Sequence, residues 1–124
     1  MPHTPKRVVP VSVDVNVSAD GIVTIDCSPN PAPILVNTKH ALLVFTLTTP
    51  GFRFPMANAI KLDQPVDDFP YDSWTITDTQ AALYDTNRVK DLFDYTVTVV
   101  NATTGKHYSV DPVIDNGGSS TGGD

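Results

Sequence analysis

Val9-Pro10-Val11-Ser12-Val13-Asp14-Val15-Asn16-Val17 is the stretch whose reading decides the fold. Valine stands at every second position, and the residues between are polar or proline. A repeat of two is that of a β-strand with one buried face; a helix would repeat every 3.6 residues. Such a face must be covered by a second layer. Pro10 lacks an N–H and places the start of this strand at a sheet edge. The strand is long and carries few charges, so its edge is a candidate for self-association.

The composition agrees with that pattern. All fourteen acidic residues are Asp, with no Glu, beside sixteen Val and fifteen Thr. Glu favours helices, Asp favours turns and caps, and β-branched side chains suit a pleated surface. The eleven Pro and seven Gly fall mostly between apolar runs, where turns belong.

Working outward, Ala19-Asp20-Gly21 turns the chain and Ile22 to Cys27 returns as a hairpin partner, with Val23, Ile25 and Cys27 inward. Ser28-Pro29-Asn30-Pro31-Ala32-Pro33 reads as a stiff crossover, too rich in Pro for a ladder. Ile34-Leu35-Val36 is a brief strand, and Asn37 to His40 is a turn. Ala41 to Thr48 is apolar on both faces in its first half, as expected of a central strand. The pattern then breaks from Thr49 to Ser73, where Phe52-Arg53-Phe54 and Ala59-Ile60-Lys61-Leu62 alternate briefly and could pair. Trp74 to Thr77 is a short strand. Thr79 to Thr86 is the one plausible helical turn, with Asp78 as its N-cap. Asp91 to Val100 alternates with Phe93, Tyr95, Val97 and Val99 on one face. Gly105 closes the following turn, and Lys106 to Ile114 comes back, limited by Pro112.

Seven or eight short strands spaced this way predict an all-β, two-sheet sandwich over residues 8–115. A flexible N-terminus, 1–7, and a Gly/Ser tail, 116–124, flank it. Tyr95-Thr-Val-Thr-Val99, then Gly105-Lys106, then Tyr108 to Asn116, resembles the C-terminal part of the DP-EP family, small bacterial proteins of unestablished function. The likeness covers about the last third of the chain. It implies an immunoglobulin-like or cupredoxin-like sandwich, and it implies no catalytic residues.

Charge and cysteine content narrow the function classes. A net charge of −6 with eight scattered Lys and Arg is unsuited to nucleic acid or an anionic membrane. Cys27 is a lone cysteine, so it forms no internal disulfide, and its place at the end of an apolar run suggests a buried, inert thiol. No apolar run approaches the ~20 residues of a membrane span. The N-terminus lacks the apolar core of a signal peptide, which makes a cytoplasmic setting the default expectation.

Four kinds of chemistry can be weighed against the residues. A blue-copper site needs two His, a Cys and a weak axial ligand close together, and His40, His107, Cys27 and Met56 are scattered. A cation site could draw on Asp63, Asp67, Asp68 and Asp72, although their spacing is not that of the twelve-residue calcium loop. No nucleophile motif appears, so no enzyme activity and no cofactor are expected. Asn16 and Asn101 begin glycosylation-like triplets, read as chance matches. A fifth feature is aromatic. Phe52, Phe54, Met56, Phe69, Tyr71 and Trp74 crowd one segment, which either plugs an end of the sandwich or presents a recognition surface. The leading expectation is therefore a non-catalytic module that self-associates or contacts another protein. The alternative is a domain binding calcium or another ligand, carbohydrate included, through the 49–74 segment.

Overall fold

The structure, a computed structural model, describes residues 7–35, 38 and 40–117. Residues 1–6, Val36, Asn37, Lys39 and the tail from 118, with what the sequence predicts for them, lie outside these. Among the described residues the regular elements are all strands. The eleven are β1 (Arg7–Val17), β2 (Val23–Ser28), β3 (Ala32–Ile34), β4 (Ala41–Leu47), β5 (Phe52–Arg53), β6 (Ile60–Leu62), β7 (Trp74–Thr77), β8 (Gln80–Asp85), β9 (Asp91–Asn101), β10 (His107–Val110) and β11 (Val113–Asn116). They form two mixed sheets packed as a sandwich. One has the order β2-β1-β4-β8-β7; in the other, β9 is flanked by β10 and β11 on one ribbon and by β5 and β6, with β3 beyond β11.

The valine repeat of β1 does what its period requires. Val9, Val11, Val13 and Val15 are buried while Pro10, Ser12, Asp14 and Asn16 are exposed. They pack with Leu43 and Phe45 of β4 and with Tyr95, Val97 and Val99 of β9 in one core. Phe45 meets Tyr95 edge to face, ring centroids 5.7 Å apart, a geometry favoured by the ring quadrupoles.

Several expectations are corrected. β1 is not an edge strand along its whole length: β2 covers Ser12 to Val17 and β4 covers Arg7 to Val13, so only its start is a sheet margin, as Pro10 implies. Its first residues, Arg7 to Val11, have only β4 beside them in the ladder, and Pro10 sits in that half. Thr79 to Thr86 is not a helical turn. Gln80–Asp85 is β8, held against β4 from Ala41–Asp85 to Thr46–Gln80, so long-range pairing overrides the local helical preference of Gln-Ala-Ala-Leu. The Pro-rich crossover contributes a ladder after all, with Ala32-Pro33-Ile34 running parallel to Ile114-Asp115-Asn116 at a sheet margin where Pro is tolerated. The two brief alternations in the long segment pair with β9, not with each other.

The strand count exceeds the expected seven or eight partly because of one interruption. β10 and β11 keep a single register on β9, His107 opposite Val100 and Asn116 opposite Asp91, with Asp111-Pro112 between them. Pro112 removes a donor but its carbonyl accepts from the N–H of Tyr95 at 3.1 Å, so the ribbon continues. Asn116, read from sequence as the first residue of the tail, ends β11 and is fully buried.

Two substitutions test this core by urea denaturation. Phe45→Ala removes a fully buried ring and is expected to lower stability by about 3–5 kcal/mol. Tyr95→Phe is expected to raise it by about 1 kcal/mol, because the Tyr95 hydroxyl is buried with no hydrogen-bond partner among the described residues.

Candidate functional site

The aromatic segment divides in two. Phe54 and Phe69 are buried in the core, and Phe69 meets Phe93 edge to face at 5.4 Å. Phe52 is half-buried on β5, its ring 6.4 Å from that of Tyr108, over which Lys106 Nζ lies. These three plug the sandwich. Met56, Tyr71 and Trp74 do not: they are 79%, 62% and 44% exposed.

Trp74 and Tyr71 join a surface that the aromatic segment alone does not reveal. Register fixes which residues share the outer face of the first sheet. Leu42 of β4 lies between Val8 of β1 and Tyr84 of β8; Val44 lies between Pro10 and Ala82; Trp74 of β7 follows opposite Ala82. Every one of these is apolar or aromatic. The inner face holds Ala41, Leu43, Phe45, Ala81 and Leu83, so β4 and β8 are apolar on both sides. Ala82 is nevertheless fully buried and Tyr84 nearly so, which means that their outer neighbours close over them. Tyr84 is hemmed by Tyr71 at 5.8 Å and stacked with His40 at 5.9 Å between centroids. His40 Nδ1 is also hydrogen-bonded to the Tyr84 hydroxyl. Burial raises the Tyr84 hydroxyl above its ordinary range, and Tyr71 adds to the rise. The result is an aromatic step of His40, Tyr84 and Tyr71 beside an apolar field running from Val8 to Trp74.

Beside this face, the 63–73 loop borders a groove of about 650 Å³ at the side of the sandwich. Ile60, Leu62, Phe69 and Leu83 line it with apolar surface, while Lys61, Asp67, Asp72 and Arg88 supply charge.

The four loop carboxylates proposed as cation ligands are not brought together. Asp67 and Asp72 are exposed. Asp63 and Asp111 each accept from, or face, Thr96 Oγ at 2.8 Å on the second sheet. Asp68 turns inward and is 2% exposed. Among the described residues no three His, Cys, Asp or Glu side chains gather as metal ligands, and this holds for the copper candidates too. Cys27 is half-buried on β2, and burial first, then Asp26, pushes its thiol up to about 11. A thiol so protonated is a poor nucleophile and a poor ligand.

Asp68 is instead the centre of a polar seam that holds the loop down. Its Oδ2 accepts from the backbone N–H of Arg88 at 3.1 Å and of Val89 at 3.0 Å, and from Asn116 Nδ2 at 3.1 Å. Thr86 donates to its Oδ1 at 3.2 Å, and the Arg88 guanidinium lies 3.6 Å away. Asn116 Nδ2 also donates to Asp85 Oδ1 at 3.0 Å, which in turn accepts from the N–H of Asn87 at 2.8 Å. Asn87, in the left-handed region at φ 54°, donates to the carbonyls of Leu35 and Thr38. Sequence reasoning missed Asp85, Asn87 and Asn116. The available signal was an Asp and an Asn bordering apolar strands, which is equally the signature of an exposed turn.

The seam predicts an asymmetry that thermal melts would measure. Asp68→Ala strands buried donors and is expected to lower stability by about 3 kcal/mol or more. Arg88→Ala is expected to lower it by no more than about 1 kcal/mol, since that side chain is 62% exposed. A scan against protein-family models finds no match for this chain, and a search of curated proteins finds none either.

Proposed function

We propose that this chain is a non-catalytic β-sandwich that makes a protein contact, in the first instance with a second copy of itself, through the outer face of its first sheet. The observation that carries this reading is the apolar character of that face, from Val8 through Leu42 and Val44 to Trp74, with Tyr71 standing over it. A sheet needs one buried face; the other is ordinarily polar where it meets water. Here the polar alternation holds on β1 beyond Pro10 and fails on β4 and β8. Extended apolar patches rimmed by polar groups mark interaction sites, and Trp and Tyr are the residues that dominate their energetics.

The face, not an edge, is the favoured contact. The first sheet ends at β7, which is four residues long and has an irregular register between Thr75 and Thr77. Its other margin is β2, which points Thr24 and Asp26 to solvent, and then the start of β1 from Arg7 to Val11, where Pro10 lacks an N–H. Short, bulged and charged margins are the means by which sheets resist edge pairing. The likeness of the last hairpin to the DP-EP family is carried here as a further proposal of kinship, and it assigns no ligand.

Sedimentation equilibrium over a hundredfold concentration range tests the reading. The expected result is a reversible dimer that the double substitution Tyr71→Ser, Trp74→Lys converts to monomer, with an unchanged far-ultraviolet spectrum. A strict monomer at millimolar concentration would remove self-association through this face.

A further inference from the structure

The seam beneath the 63–73 loop contains a chemical imbalance. Asp85 and Asn116 are both fully buried. Among the described residues, Asp85 Oδ2 and Asn116 Oδ1 have no hydrogen-bond partner. The Asn116 amide cannot be turned to relieve this, because its nitrogen already donates to two carboxylates, Asp68 and Asp85. Two acceptors are therefore left over, one on each of two groups already joined by the Asn116 Nδ2 to Asp85 Oδ1 bond. A single proton placed between Asp85 Oδ2 and Asn116 Oδ1 would make the two groups a carboxylic acid–amide pair and give both acceptors a partner.

We propose that below neutral pH Asp85 is a protonated acid while the 63–73 loop is docked, its Oδ2–H donating to Asn116 Oδ1, and that loss of this proton to solvent as the pH rises loosens the loop. The seam is then a pH-operated latch on the loop that carries Phe69 and Tyr71. The surroundings favour the neutral acid. Asp68 presents a second carboxylate to the same amide, and the Arg88 guanidinium lies against Asp68, the carboxylate that also takes the backbone N–H groups. From β4 the neighbour is Ala41, and from β9 Asp91 stands opposite Asn116 with its own carboxylate on the N–H of Leu92. His40, beside Ala41, is engaged with Tyr84, whose side chain lies on the opposite face of the sheet from Asp85. Burial, and next in the same direction Asp68, outweigh the bonds from Asn116 and Asn87 and raise the Asp85 carboxyl to about 7.

The direction of the pH effect follows. A carboxyl raised on docking favours the docked state fully below the ordinary aspartate range. That advantage is lost as pH climbs toward 7 and is constant above it. This is opposite in sign to the usual salt-bridged carboxylate, whose contribution is lost in acid.

Amide hydrogen exchange, corrected for its intrinsic pH dependence, reads the latch through N–H groups that Asp68 of the seam holds, those of Thr86, Arg88 and Val89. The expected opening equilibrium rises about tenfold for each pH unit from 5 to 7 and levels above it. Asp85→Asn supplies a permanent N–H in place of the acid O–H and is expected to abolish that slope while keeping the protection. The carboxyl carbon shift of Asp85, followed by NMR in the unmodified protein, is expected to titrate near neutrality, and it reads the proposal even if the variant fails to fold. A titration in the ordinary aspartate range, a flat exchange profile in the unmodified protein, or the same slope in Asp85→Asn would each overturn it.

Discussion

The fold depends on one packing contact: the inward valines of β1, reinforced by Leu43 and Phe45 of β4, pressed against Tyr95, Val97 and Val99 of β9. Each is a period-two row, and each row is useless without the other. The strands that flank them exist because these rows are in place. β2 and β8 extend the first layer, and β6 and β11 extend the second along the same central strands. Even the Phe54 and Phe69 rings of the irregular segment find their position by filling the margin of this layer pair.

How far the sequence disclosed this varies with physical range. β1 and β9 were legible because their information is local: alternation is a property of neighbouring residues. β8 was not, since Gln-Ala-Ala-Leu-Tyr-Asp has no strong local preference for strand, and only its pairing with β4 makes it one. β3 escaped for the same reason, its Pro33 being acceptable only because the partner lies on one side. Pro10 marks the one-sided start of β1, but its pairing with β2 further on is not written in its residues, since nothing in a strand's own side chains says how many partners it has.

The candidate surface was half legible. Trp74 and Tyr71 drew attention as aromatics, but their company of Val8, Leu42, Val44 and Ala82 comes from register and cannot be counted along the chain. The observation that Ala41 to Thr48 is apolar on both faces pointed the same way. Centrality accounts for it, since β4 lies between β1 and β8, and the proposed contact face would account for it equally. The polar seam was invisible, because Asp68, Asp85 and Asn116 lie as much as 48 residues apart in the chain.

The parallel pairing of β3 with β11 has a kinetic consequence. The Asn30 side chain accepts from the N–H of Val113 across 83 intervening steps of chain, and Arg7 and Ala41 open a second distant parallel ladder. Neither contact can be approached through a tight hairpin, so a large loss of chain freedom precedes any gain from sheet formation. A topology of this kind belongs with the slow, millisecond-to-second folders. During that search β4 and β8, greasy on both sides, are the segments most exposed to mispairing with other chains.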